Sequence, residues 1–186
     1  VINMSFGARS RPSTVLDATR ERALQRGVEP YLDLLEKLDD DGLLPLLVIA
    51  AGNDAVDAKW AAFPTLRDDF ITNVLVVGGT SFSVFRPDST VDLWGTAGSF
   101  DGTNRGALVD IVAPGQTLTL PDGAGSTRTA NGTSYSAPMV AGVAGLLLSA
   151  QPSLSPSQLR VLILQGAVEG GFRGVDGADQ HLFLNA

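Results

Sequence analysis

The residues with the clearest chemical potential are Gly132-Thr133-Ser134-Tyr135-Ser136-Ala137-Pro138, which open the apolar stretch Met139 to Leu148. A serine in the first turn of an apolar helix sits where unpaired backbone N–H groups and the positive end of the helix dipole face outward. An oxyanion formed beside it is therefore stabilised, and Ser134 reads as a nucleophile in that setting. The same residues also suit an ordinary helix start, with Ser134 or Ser136 as N-cap and Pro138 as an early-turn proline. The second feature is Asn53, which follows Gly52 and the continuous apolar run Leu44 to Ala51. Such a run between glycines fits a parallel strand buried on both faces. Ligands bind at the carboxyl ends of such strands, and an asparagine amide there can donate to a developing oxyanion. Asn53 equally fits a turn asparagine before Asp54.

The elements that must position these residues read as an α/β chain: about four parallel strands flanked by helices, with the site at the strand ends. The strands are expected at Val1 to Met4, Leu44 to Ala51, Asn73 to Gly79 and Leu108 to Val112. A short amphipathic helix opened by Ser13 or Thr14 stops at Gly27, and Glu29-Pro30 opens another from Tyr31 to Asp39. Three carboxylates at Asp39-Asp40-Asp41 oppose a helix dipole, so that second helix should terminate early, with Gly42 making the turn. Thr80 to Gly98 forms a hairpin or an ordered loop, and Thr117 to Leu120 pairs antiparallel with Ser126 to Ala130. The serine helix, apolar on nearly every face, should be central. Ser155, Pro156 and Gln158 give the last helix an N-cap, a first-position proline and a capping box, and turn Leu159, Leu162, Ile163 and Gly166 to the core. Leu182-Phe183-Leu184 fits a terminal strand.

The serine block, continued by Val140-Ala141-Gly142, resembles the active-site serine motif of the subtilisin-like serine peptidases, the subtilase family. Three other blocks resemble that family in the same order. Val1-Ile2-Asn3-Met4-Ser5-Phe6-Gly7 is similar to its substrate-binding strand, and Val48-Ile49-Ala50-Ala51-Gly52-Asn53 to its oxyanion-hole strand. Val109-Asp110-Ile111-Val112-Ala113-Pro114-Gly115 is similar to the strand and turn before the serine. The resemblance implies a subtilisin-like three-layer fold and hydrolysis of peptide bonds through an acyl-enzyme. Ser134 is then the nucleophile, and Asn53 with the N–H of Ser134 forms the oxyanion hole, supported by the Thr133 hydroxyl. Ser5, Phe6 and Gly7 lie along the bound peptide together with Ala50, Ala51 and Gly52. Asp54 stands at the mouth of the first specificity pocket, where a carboxylate favours a basic side chain.

The family orders its triad Asp, His, Ser, with the first two upstream of the block that Val1 begins. Nothing here resembles the family's His-Gly-Thr helix start, and the one histidine is His181. Residues 1–186 are accordingly expected to be the C-terminal portion of such a catalytic domain, inactive until an upstream segment supplies Asp and His. His181 could act as base only in the manner of the α/β-hydrolases, whose Gly-x-Ser-x-Gly elbow is missing around Ser134. The alternative function is a catalytically inactive, subtilase-like peptide-binding or interaction module.

Composition narrows the classes. With 44% hydrophobic residues in a chain of 186 the length suits one domain with a sizeable core. A net charge of −7 argues against a nucleic-acid partner and supplies no basic stripe for a membrane surface. The apolar runs fall short of the roughly 20 residues of a membrane helix. Arg9, Arg11, Arg20, Arg22 and Arg26 form a local basic cluster, either a contact for a partner segment or a solvated insertion. Without cysteine there is no thiolate and no disulfide framework. No cofactor is expected: Asp39-Asp40-Asp41 gathers oxygen ligands of the kind calcium takes, but lacks the spacing of a calcium loop. The expected partners are a peptide or protein substrate and the N-terminal fragment of the same domain, or a second copy meeting the exposed first strand. Secretion follows from the family resemblance alone, since no signal segment is present in these residues.

Overall fold

The computed structural model describes residues 1–6, 18–61, 63–66, 70–81, 90–95, 101–173 and 181–183. Its strands are β1 (Ile2–Met4), β2 (Leu47–Ala50), β3 (Val74–Thr80), β4 (Thr90–Asp92), β5 (Ile111–Pro114), β6 (Leu118–Pro121), β7 (Thr127–Ala130), β8 (Val168–Arg173) and β9 (His181–Phe183). The helices are α1 (Ala18–Asp40), α2 (Thr133–Ala150) and α3 (Pro156–Gly166). The four expected parallel strands stand side by side as β1, β2, β3 and β5, with Ile49 beside Met4 and Val76. The sheet continues past them. β9 adds parallel to β5, β8 runs antiparallel to β9, and β4 runs parallel to β8, which gives the order β1-β2-β3-β5-β9-β8-β4. β6 and β7 form the separate antiparallel pair foreseen around Pro121-Asp122-Gly123.

Three layers follow from the period of two along each strand. Leu47, Ile49, Val74 and Val76 point to one face, where Val28 and Leu35 of α1 cover them. Val48, Ala50, Leu75, Val77 and Ile111 point to the other, against Ala137, Val140 and Ala144 of α2 and Leu159 and Ile163 of α3. Strands buried on both faces must be apolar at every position, hence the unbroken runs in the sequence. Each such side chain contributes roughly 1.5–3 kcal/mol on burial.

The structure differs from the sequence expectation in three helices. The two helices expected before Leu44 are one: α1 passes through Gly27 and Pro30 without a break. The stripe Val28, Leu32, Leu35 and Leu38 packs on the sheet, and its burial outweighs the bond that Pro30 cannot donate. Nor does the acidic end stop α1 early. It runs to Asp40, where Leu43 N–H reaches Leu38 O at 2.7 Å and Gly42 N–H reaches Asp39 O at 2.9 Å, a paired C-terminal closure about Gly42 at φ +68. The second difference is in α2, which is apolar all round but packs on the sheet by one stripe, leaving Leu146 72% exposed. Length and composition would let these 18 residues span a membrane, whereas Val140 and Ala144 are fully buried against the strands. The third is in α3, where Leu159 and Ile163 are buried as expected while Leu162 and Gly166 face outward. Its start is as foreseen, with Ser155 Oγ accepting Gln158 N–H and the Gln158 side chain accepting Ser155 N–H. Thr80 and Leu93 form an antiparallel bridge, and residues 82–89 and 96–98 of the expected hairpin or ordered loop lie outside the described ones.

At the amino end of the sheet Arg160 of α3 donates to Val74 O at 2.9 Å and to Asp110 Oδ1 at 2.8 Å, and Asp110 Oδ2 accepts Val76 N–H at 2.9 Å. The Asp110 side chain is only 4% exposed. Asp110→Ala leaves a guanidinium and an N–H without that acceptor, so the free energy of unfolding is expected to fall by roughly 3 kcal/mol in a denaturant titration. A change within about 0.5 kcal/mol, the range of ordinary surface substitutions, would show that the pair does not hold α3 to the sheet.

Candidate active site

α2 begins against the carboxyl ends of the central strands, and small residues make that seat possible. Gly132 is the N-cap and has no side chain to cap with; its N–H donates to Gly115 O at 2.7 Å. Ser136 is fully buried and its hydroxyl donates to Pro114 O at 3.0 Å. A Cβ on Gly115 would stand 2.7 Å from Ser136 Oγ, too close for any side chain there. Neither Ser134 nor Ser136 is the N-cap, then, and the Ser134 hydroxyl has no capping duty.

Asn53 ties the end of β2 to this helix start. Its Oδ1 accepts Thr133 N–H at 2.9 Å and the Thr133 hydroxyl at 2.8 Å, while Thr133 Oγ1 accepts Gly52 N–H at 3.2 Å. With Oδ1 so engaged, the Asn53 amide nitrogen is turned toward Gly132, where an added Cβ would lie 3.5 Å from it. Ser134 is the second residue of α2, so its N–H has no acceptor within the helix. Its hydroxyl donates across to Ser5 O at 3.2 Å. Ser5 and Phe6 leave β1 at this point, and the Phe6 ring meets Phe63 edge-on at 5.0 Å. Ala50 closes β2, Ala51 N–H donates to Val77 O at 2.9 Å, and Gly52 turns the chain at φ +103. Asp54 forms a parallel bridge with Gly102. Of the residues singled out from the sequence, Ser5, Phe6, Ala50, Ala51, Gly52, Asn53, Asp54, Thr133 and Ser134 are thus described at the carboxyl edge of the sheet. Gly7 lies outside the described residues.

An oriented amide and the Ser134 N–H at the positive end of a helix can together stabilise an oxyanion on an atom bonded to Ser134 Oγ. The backbone of His181 lies at the opposite end of the sheet. The register pairs Leu182 with Ile111, so the backbone of His181 enters β9 beside the start of β5. The length of β5, roughly 13 Å at ~3.3 Å per residue, separates that level from the end where α2 is seated. Among the described residues no group of three or more His, Asp or Glu side chains is arranged to hold a metal ion.

Residues 102–105 carry no pattern that marks a site in the sequence, yet they form the back wall of this one. Gly102 N–H donates to Asn53 O at 3.3 Å, Asn104 N–H to Gly52 O at 2.9 Å, and Thr103 Oγ1 accepts Gly79 N–H at 2.8 Å. The available signal is the pair of glycines, Gly102 and Gly106, around buried polar residues; Gly106 takes φ +98 with Asp57 packed against it.

The β6–β7 pair leads into α2 and is joined by a turn centred on Asp122. The Ser126 hydroxyl, and then the N–H groups of Ala124 and Ser126, donate to its carboxylate and hold its pKa below the ordinary aspartate value. These bonds stabilise the turn fully above the ordinary aspartate range, and their contribution is lost as pH falls through the lower folded-state value. NMR titration of the Asp122 carboxyl is expected to give a midpoint below that of an unstructured peptide. Thr133→Val keeps the shape of residue 133 but removes the hydroxyl between Asn53 and Gly52. A loss of about 1–2 kcal/mol in unfolding free energy is expected in denaturant, with an unchanged midpoint counting against the network.

The subtilase family model matches residues 1–182. The chain is 32% identical over 186 residues to an extracellular serine proteinase of Thermus sp. (strain Rt41A), covering 99% of this chain and 36% of that protein. It is 32% identical over 185 residues to the alkaline serine exoprotease A of Vibrio alginolyticus, covering 100% of this chain and 28% of that protein. The solved structure of a cold adapted subtilisin-like serine proteinase superposes with a TM-score of 0.58 at 28% identity, over 98% of this chain and 53% of that one. The chain therefore spans about a third of these curated relatives and about half of the solved structure.

Proposed function

This chain belongs to the subtilase family, whose model matches residues 1–182, and we propose that it carries the nucleophile and the oxyanion hole of a serine endopeptidase. The observation behind this reading is the pair of hydrogen bonds that Asn53 Oδ1 accepts from Thr133, which leaves the asparagine amide nitrogen facing Gly132 at the helix start, two residues before Ser134. Ser134 Oγ attacks the peptide carbonyl as a histidine takes its proton. The carbonyl oxygen becomes an oxyanion between Asn53 Nδ2 and Ser134 N–H, the amine leaves with the proton returned by that histidine, and water resolves the acyl-enzyme. Thr133 supports the hole through Asn53. The substrate lies as an added strand along Ser5, Phe6 and Gly7 on one side and Ala50 to Gly52 on the other, with Asp54 favouring a basic side chain.

The histidine and its orienting aspartate come from a segment outside residues 1–186, because His181 is at the far end of β5. Two features support completion beside the first strand. Among the described residues β1 is paired only with β2, and Ile2 is 49% exposed. Residues 1–186 alone are then nearly inert, because triad members act as a unit. The substrate is a peptide or protein, no cofactor enters the chemistry, and the extracellular relative suggests action outside the cell.

The test is labelling by a fluorophosphonate probe, with residues 1–186 alone and again together with the upstream segment of the parent gene. Labelling at Ser134 only in the second sample, abolished by Ser134→Ala and slowed about 10²–10³-fold by Asn53→Ala, is the expected result. Labelling of residues 1–186 alone would overturn the outside base. No labelling in either sample would leave a peptide-binding module as the function.

A further inference from the structure

The turn that carries Asn53 is strained. Ala55, two residues on, holds φ +53, a left-handed conformation that its Cβ disfavours, and Gly52 just before Asn53 holds φ +103. What fixes this turn is one side chain from a distant part of the sequence. Asn104 is 1% exposed. Its Oδ1 accepts Asp54 N–H at 3.0 Å and Val56 N–H at 3.3 Å, one on each side of Ala55, and its Nδ2 donates to Ala51 O at 2.9 Å. Its own N–H donates to Gly52 O at 2.9 Å. The amide therefore bonds both limbs of the turn, before and after Asn53, and few side chains could. A carboxylate has no donor for Ala51 O, and an aliphatic side chain has neither donor nor acceptor. The fit is close enough that a Cβ on Gly52 would lie 2.4 Å from Asn104 Nδ2, so the glycine and the asparagine are matched.

Asn53 is thus held from two sides. Thr133 fixes its side chain from the front, and the 102–104 segment fixes its main chain from behind. Oxyanion stabilisation depends on donor placement to a few tenths of an ångström, and a displacement of about 1 Å can cost 10²-fold in rate. We infer that Asn104 is a positioning residue for the oxyanion hole, acting through the turn 51–56 on the amide of Asn53. It touches neither the substrate nor the reacting atoms. The inference rests on Asn53 being the oxyanion donor.

A double-mutant cycle on the rate of Ser134 labelling, in the labelling-competent protein, separates the two ideas. Asn104→Ala is expected to slow labelling about 10–100-fold. Asn53→Ala, which alone costs about 10²–10³-fold, should cost less than about tenfold in the Asn104→Ala background, because the donor it removes is already misplaced. Independent, multiplying penalties would overturn the positioning role while leaving the oxyanion reading intact. Asn53→Ala without effect on its own would overturn both. Hydrogen exchange on residues 1–186 gives a readout free of activity. Asn104→Ala should speed exchange at the Asp54 and Val56 amides and leave Val48 and Val76 in β2 and β3 protected. Equal acceleration across the sheet would make Asn104 a general core residue and sink the proposal. Should Asn104→Ala not fold, Asn104→Asp carries the same cycle, since it keeps the acceptor for Asp54 and Val56 and loses only the donor to Ala51.

Discussion

The bond from Thr133 N–H to Asn53 Oδ1 joins the two parts on which the site depends, a helix start and a strand exit. A helix leaves its first N–H groups without internal acceptors, and α2 has no side-chain cap because its N-cap is Gly132. Asn53 takes one of those donors. In doing so it loses the freedom to flip, since the reverse orientation would set an NH₂ against the Thr133 N–H. One hydrogen bond therefore caps the helix and orients the amide, and the Thr133 hydroxyl reinforces it from the same side. The glycines and the buried Ser136 around the seat follow from this: the helix start must approach the strand ends closely enough for a short asparagine side chain to bridge them.

The rest of the fold supports that seat from below. Both faces of β2 and β3 are covered, so the strand ends that carry Asn53 and Gly79 have little freedom to move. At the opposite end, Arg160 and Asp110 tie α3 to β3 with charge-assisted bonds. The polar groups are divided accordingly. Those at the amino end hold layers together, while those at the carboxyl end satisfy irregular backbone in the loops, where the site lies.

The parts legible in the sequence were those that single residues or short runs encode. Continuous apolar runs gave the four parallel strands because burial on both faces admits little else, and Ser155-Pro156-Ser157-Gln158 gave the start of α3 because capping is a local bond pattern. What escaped depended on partners far away in sequence. Pro30 and Gly27 look like helix breakers, yet α1 continues because Val28, Leu32, Leu35 and Leu38 find the sheet. The hydropathy of α2 reads as burial on all sides, but it cannot say which neighbours are present, and Leu146 is open. β8 contains Gly170-Gly171, which local propensity reads as loop, and is recruited by β4 and β9. Asn104 is the extreme case, since nothing beside it in the sequence reveals its bonds to Ala51, Asp54 and Val56.

On the proposed reading, the arrangement also separates two tasks that catalysis by acyl transfer requires. Oxyanion stabilisation needs donors fixed before the substrate arrives, and the donors proposed above come from backbone and one amide, locked by bonds internal to residues 51–56, 102–104 and 132–134. Proton transfer needs a group of matched pKa brought to Ser134, whose hydroxyl meanwhile rests on the Ser5 carbonyl. That carbonyl lies where β1 ends, so this strand both meets Ser134 and leads into the proposed peptide path. A segment joining the sheet along Ile2–Met4 would thus arrive beside Ser134, while the bonds that hold Asn53 come from Thr133 and from residues 102–104 and none from β1. A base supplied from outside, as proposed, is compatible with this division of labour because none of the bonds that orient Asn53 pass through it.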